Sequence, residues 1–175
     1  MHSYIISGGP GAGKTTLLQA LHQKGFATSE EVSRQLIIQE VSKGNNCLPW
    51  VNLPCFALKV LKRMMQDYEH AQSYSGTTFF DRGIPDIISY LEAANLPVDE
   101  VYQQAVQQHR YNRVVFLAPP WQEIYVNDSE RWQTFEEAVT LHNAIKATYQ
   151  SLQYTILELP KATVAERADF IVSHL

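Results

Sequence analysis

No stretch of these 175 residues approaches the run of about 20 apolar residues that a membrane-spanning helix needs. Nor does the chain open on a basic segment followed by an apolar one, so the expected setting is soluble and cytoplasmic. Cysteine is scarce: Cys47 and Cys55 are the whole supply, without C-x-x-C spacing. A chain of this length needs no disulfide to hold a core, so free thiols are expected, with a disulfide as the alternative. The six histidines are scattered and no two stand four apart, which argues against a structural zinc site. Fourteen Lys and Arg face eighteen Asp and Glu, a net charge of −4. Without a global positive field, nucleic acid is not an expected partner. Neither N-K-x-D nor D-x-x-G occurs, which speaks against a guanine-reading switch. Repeats, low-complexity tracts and interdomain linkers are also missing, so residues 1–175 are expected to form one domain.

What is present is concentrated in GGPGAGKTT, Gly8 to Thr16. Gly8, Gly13, Lys14 and Thr15 complete the G-x-x-x-x-G-K-[ST] phosphate-binding pattern. At average residue usage, the four fixed positions match by chance in roughly one chain in a hundred of this length. Context strengthens the match, because Ser3 to Ser7 reads as a buried strand and Thr15 to Gln23 as an amphipathic helix. The expected cradle is Gly8, Gly9, Pro10, Gly11, Ala12, Gly13, Lys14, Thr15 and Thr16. Its backbone N–H groups and the helix N-terminus would face the anion. Lys14 would reach the β- and γ-phosphates, and Thr15 would ligate Mg²⁺.

Strands and helices alternate along the rest of the chain. Further strands are expected at Phe26–Ser29, Thr77–Asp81, Arg113–Leu117 and Thr155–Leu159. Helices are expected at Glu31–Ser42, Cys55–Ser73, Pro85–Ala94, Val98–His109, Phe135–Leu152 and Thr163–His174, with a loop from Lys43 to Pro54. Gly25 reads as a helix stop, and Thr134/Glu137 and Thr163/Glu166 as capping boxes. This alternation implies a parallel sheet with helices on both faces.

In such a sheet, ligands bind at the carboxyl ends of the strands. Asp81, ending an apolar strand, can hold a water of the Mg²⁺ shell, take a proton from an attacking hydroxyl, or cap the next helix. Arg82 can contact an acceptor or pair with Asp86. Glu31 and Arg34 share a helix face and can hold an acceptor, Glu31 as base or hydroxyl ligand and Arg34 as anion clamp, or form a surface pair. Glu30 is the weaker carboxylate. Arg131, in the polar loop at about 119–134, can close over a triphosphate as a lid arginine or stay solvated. Pro160 to Thr163 is the expected neighbour of a nucleobase. Trp50, Trp121 and Trp132 can stack on a base or simply pack.

With these residues placed, the chain resembles the small P-loop ATPases filed among AAA-type domains, whose fold is of the nucleotide-kinase type. The kinase half of the bacterial nicotinamide-riboside kinase regulator is a relative of that group. The resemblance rests on the phosphate loop, E-x-x-R (Glu31 to Arg34), FFDRGIPD (Phe79 to Asp86), RVVFLAPPW (Arg113 to Trp121), ERWQTFEEA (Glu130 to Ala138) and LPKATVAERADFIV (Leu159 to Val172). It implies a three-layer α/β fold with a five-stranded parallel sheet in the order 2-3-1-4-5. It also implies ATP and Mg²⁺ at Gly8 to Thr16, a lid carrying Arg131, and an acceptor cleft near Glu31, Arg34 and Asp81. A hexameric remodelling motor is not expected, because Asp81 is followed by Arg82 where such motors carry Glu. The leading expectation is a small-molecule kinase, nucleoside- or nucleotide-like, with Lys14, Asp81, Arg131 and Glu31 in catalysis and Thr15 and Asp81 toward the metal. Its acceptor side would be walled by helices at about 31–75. The alternative is an ATP-binding regulatory module or slow ATPase that acts on a protein partner.

Overall fold

The computed structural model describes residues 2–125 and 134–175. Five strands, β1 (Ser3–Gly8), β2 (Ala27–Ser29), β3 (Thr78–Asp81), β4 (Val114–Ala118) and β5 (Thr155–Glu158), form one sheet. Its order is β2-β3-β1-β4-β5, and each neighbouring pair is parallel. This is the order that the family resemblance implies. Among the described residues, seven α-helices surround it: α1 (Lys14–Gln23), α2 (Val32–Ser42), α3 (Leu53–Ala71), α4 (Ile84–Ala93), α5 (Glu100–Gln108), α6 (Phe135–Ser151) and α7 (Val164–Val172). None is long and apolar enough to cross a membrane, among the described residues.

Side-chain alternation along the central strands divides the core in two. Tyr4 and Ile6 of β1, Phe79 of β3, and Phe116 and Ala118 of β4 point to one face, where they join Leu17 and Leu21 of α1 and Ala168 and Ile171 of α7. Ile5, Phe80, Val115 and Leu117 point to the other face. There they meet Phe56, Val60 and Met64 of α3, Ile84 and Ile87 of α4, and Ile145 and Tyr149 of α6. All six residues of β1 and all four of β3 are buried, as a strand covered on both faces must be.

Helix starts follow their caps. Thr134 and Glu137 exchange backbone bonds of 2.7 and 3.2 Å, and Thr163 and Glu166 bonds of 2.9 and 3.3 Å, so both expected capping boxes form. Gly25 follows α1 with a φ of 93°, the left-handed conformation that ends helices. Most boundaries lie within two residues of expectation. Helix α3 begins at Leu53 instead of Cys55, because Asn52 accepts the Cys55 N–H at 3.1 Å and Pro54 fits the first turn.

One expectation is overturned. Cys47 and Cys55 are not free thiols but a disulfide, with Cα atoms 5.5 Å apart. The cause is local. The N–H groups of Val51 and Asn52 donate to Leu48 O at 3.0 and 2.8 Å, and this turn folds Cys47 back onto the first turn of α3.

Candidate functional site

Residues Gly8 to Gly13 turn from the end of β1 into α1. Gly8 has a φ of 139°, and a Cβ there would collide with the Ala118 carbonyl of β4. Gly13 has a φ of 75° and stands as the N-cap of α1. Both positions demand glycine, the first for close approach and the second for a left-handed turn. Lys14 begins α1 with its side chain buried under the loop, donating to Gly8 O at 3.3 Å and Gly9 O at 3.0 Å. Burial lowers its pKa to about 8, and the nearby Arg82 charge pushes in the same direction. Thr15 is exposed on the cavity wall, while Thr16 folds back onto Gly13 O at 3.0 Å.

Asp81 lies beneath the loop at the carboxyl end of β3 and is 3% exposed. Burial raises its pKa to about 7; Lys14 pulls it down and Glu31 pushes it up. Among the described residues, its Oδ1 has no hydrogen-bond partner. An unsatisfied buried carboxylate oxygen is costly.

Arg82 follows in left-handed conformation, with a φ of 71°. A non-glycine residue holds that backbone only when its surroundings fix it, and here they do. Its guanidinium donates to Gly8 O at 2.9 Å, to Asp86 at 3.3 Å and to Glu31 at 3.3 Å, and sits 5.5 Å from the Tyr90 ring centre. Arg82 therefore ties the back of the phosphate loop to the cap of α2, since Glu31 is the N-cap residue of that helix.

Behind this row lies Asp86, on the first turn of α4. It accepts from the Ser7 hydroxyl, from Tyr149 OH at 2.5 Å, from Gly83 N at 2.9 Å and from Arg82. Every one of these groups is buried or adjoins the loop, so Asp86 holds β1, β3, α4 and α6 together under the site.

These elements enclose a cavity of about 530 Å³, within the size range of small-molecule sites. One end is polar: the phosphate loop from Pro10 to Thr16, with Glu31, Arg34, Arg82 and Asp86. The other end is an apolar chamber. Ile37 of α2, Leu53, Phe56, Ala57, Val60 and Met64 of α3, and Ile87 and Tyr90 of α4 line it, and Pro49 closes the rim. Ala162, Thr163 and Val164 line the side where α7 begins, and Trp121 and Ile124 approach from the segment after β4.

The structure thus brings Lys14, Thr15, Glu31, Arg34 and Arg82 to one cavity wall, while Asp81 is buried near Lys14 and Glu31 and is not part of that wall. Arg131 and Trp132 lie outside the described residues, as do residues 126–133 generally. Trp50 is half exposed, and Trp121 reaches the cavity. Glu30 bonds to Gln35 at 2.9 Å on the surface.

Two residues had escaped the sequence reading. Asp86 figured there only as a partner for Arg82. Arg167, in the middle of α7, did not figure at all, yet it is 2% exposed and donates twice to Ala12 O at 3.2 Å. It presses close to Gly13, where a Cβ would stand 2.9 Å from its Nη1. Its one sequence signal was an arginine on the inward face of an otherwise apolar helix stripe, between Val164, Ala168 and Ile171.

A glycine loop between strand and helix, a buried lysine at its exit, and a kinase-order sheet define the class: a P-loop nucleotide-binding protein with the nucleotide-kinase fold. The chain belongs to the AAA_28 family of AAA domains, whose model matches residues 3–167. Solved structures agree on the fold. A NadR protein in complex with NR is 16% identical with a TM-score of 0.77; the match covers 98% of this chain and 51% of that one. A deoxyadenosine kinase from M. mycoides with dCMP bound is 14% identical, with a TM-score of 0.69 over 99% of this chain and 98% of its own. Shikimate kinase from Acinetobacter baumannii in complex with shikimate is 15% identical, with a TM-score of 0.59 over 99% and 92%. No curated protein matches the chain significantly.

Proposed function

We propose that this protein is a small-molecule kinase, transferring the γ-phosphoryl group of ATP to a hydroxyl or phosphate of an acceptor held in the apolar chamber. The observation that carries the reading is the continuity of the cavity: the phosphate loop opens directly into a chamber walled by α2, α3 and α4. A protein that merely holds or hydrolyses ATP has no use for that second volume. The acceptors in the similar structures are diverse, which supports the reaction type and leaves the acceptor open.

In this reading the loop N–H groups and the α1 N-terminus hold the triphosphate. Lys14 leaves the Gly8 and Gly9 carbonyls to meet the β- and γ-phosphates. Arg82 fixes Glu31 and the loop in register, and Arg34 faces the acceptor from the first turn of α2. Glu31, which lines the cavity, or Asp81 with its raised pKa, buried near Lys14, would receive the acceptor proton. Catalysis is positioning and electrostatics, as phosphoryl transfer requires. The residues fit a magnesium ion: Thr15 offers its hydroxyl, and the unpartnered Asp81 Oδ1 can take a water of the metal's shell. Bound there, Mg²⁺ would neutralise phosphate charge.

One observation favours the regulatory reading. Ile38, Val41, Trp50 and Val51, from α2 and the segment after it, are each about half exposed, the kind of surface a protein partner covers. The deciding experiment is ADP production from Mg²⁺·ATP with a panel of nucleosides, nucleotides and small hydroxylated metabolites, with Lys14→Ala as blank. Stimulation by one acceptor supports the kinase. Slow turnover indifferent to every acceptor, with ATP still bound, transfers the case to the regulatory module.

A further inference from the structure

We propose that Cys47 and Cys55 form a thiol–disulfide site that sets the order of the acceptor-side wall: the disulfide pins residues 45–53 against α3, and a dithiol reductant releases them. The inference rests on the reading of the apolar chamber as the acceptor site.

The placement of the disulfide carries the argument. The two cysteines stand eight positions apart, and the ring they close contains Pro49 and Leu53, both of which line the cavity. Phe56, next to Cys55, lines it too. Cys47 is buried in the same apolar cluster as Val32, Phe56 and Val60, so the sulfur bridge is part of the packing behind the wall. Hydrogen bonds of the segment run to neighbours close in sequence: Asn45 N donates to Glu40 O at 3.0 Å, Val51 and Asn52 donate to Leu48 O, and Asn52 accepts from Cys55 N at 3.1 Å and from Phe56 N at 3.0 Å as the cap of α3. The disulfide is the covalent tie across this ring, so cutting it loosens the residues between its two ends while the cap at Asn52 stays in place.

The chemistry is accessible from one side. Cys55 is half-buried and Cys47 almost fully buried, so a reductant thiolate attacks Cys55 Sγ. The S–S bond breaks, and Cys47 leaves as a thiolate and takes up a proton. The reductant's second thiolate then attacks its own sulfur in the mixed disulfide and expels Cys55. Two electrons and two protons pass from the dithiol, which ends as a disulfide. Cys55 lies in the first turn of α3, where the helix N-terminus stabilises a thiolate and favours this second departure. The ring is small, so the change is expected to be local, not a loss of the fold.

The test uses the whole chain, purified without reductant, then equilibrated with oxidised glutathione or with dithiothreitol. Free thiols are counted by alkylation and intact mass, and amide hydrogen exchange is followed in both forms. Two alkylatable thiols are expected only after dithiothreitol. Exchange in residues 45–53 should then accelerate by about tenfold or more, while residues 8–16 are unchanged. Protein carrying Cys47→Ser with Cys55→Ser should exchange like the reduced form and ignore the reductant. With an acceptor in hand, reduction should raise its KM and leave the KM for Mg²⁺·ATP unchanged. Two free thiols after oxidised glutathione, or equal exchange in both forms, would overturn the proposal; so would an acceptor KM indifferent to reduction. Exchange is read without turnover. Redox-dependent exchange in a protein that transfers phosphate to nothing would therefore sink the kinase reading and keep the thiol site.

Discussion

The two ends of the cavity are made of different materials. At the phosphate end the wall is backbone: loop N–H groups, the Gly8 and Gly9 carbonyls, and the first turn of α1. At the chamber end it is side chains: Phe56, Val60 and Met64 of α3 facing Ile37 and Ile87. Backbone sites impose glycine at set positions, since nothing else lets the chain come so close, and one such requirement is the Gly8 approach to Ala118. Apolar chambers impose only size and hydrophobicity. The difference teaches that the phosphate end is nearly fixed in its chemistry, whereas the chamber end can change its side chains freely; on the proposed reading, that is where an acceptor would be selected.

Mutations can break that division. Lys14→Ala, at the phosphate end, should cut ATP turnover by about 10²–10³, checked by ADP release at saturating ATP. Undiminished turnover would remove the loop from the reaction. Arg167→Ala tests whether the backbone cradle depends on a side chain behind it. Freed from its two bonds, the Ala12 carbonyl loses its hold, and ADP affinity by calorimetry should fall about tenfold or more. At the chamber end, Met64→Ala should raise the acceptor KM roughly fivefold and leave ADP affinity unchanged; equal losses for both ligands would mean that the two ends are not separable.

The smallest expected effect concerns pH. Asp81 has a pKa near 7 in the folded protein, raised chiefly by burial, against an ordinary carboxylate value when unfolded. Between those values the folded state holds the extra proton, so stability falls as pH climbs toward 7. Lys14, lowered by burial to about 8, does the reverse: the unfolded state holds the extra proton above 8, and stability rises with pH. Without nucleotide or Mg²⁺, the melting temperature contributed by this pair should be lowest between pH 7 and 8. Asp81→Asn should flatten the acid arm, raising Tm near pH 7.5 by roughly 2–4 °C for each kcal/mol recovered. An unchanged arm in the variant would place the titration elsewhere.

Legibility followed the same division. The phosphate loop and both capping boxes were readable because each depends on local residue types at fixed spacing, whereas the strand order came from the family resemblance. Asp81 was readable as a strand-end carboxylate; Glu31 and Arg34 were read as a helix-face pair, whereas Glu31 is the N-cap of α2 and bonds Arg82, 51 positions away. Asp86 and Arg167 were not readable, because their partners Ser7, Tyr149 and Ala12 are 63 to 155 residues distant in sequence. Only the assembled fold brings them into reach. The disulfide was misjudged for a related reason. Composition spoke for free thiols, and the turn at Leu48 that brings the two sulfurs together leaves no mark in spacing.

The most direct test of the account follows the γ-phosphoryl group itself. Labelled ATP is incubated with the protein, Mg²⁺ and the acceptor panel, and the label is traced to its product. The account expects one acceptor to carry the label, with none transferred by Lys14→Ala. Label recovered only as inorganic phosphate, at a rate unmoved by every acceptor, would contradict it.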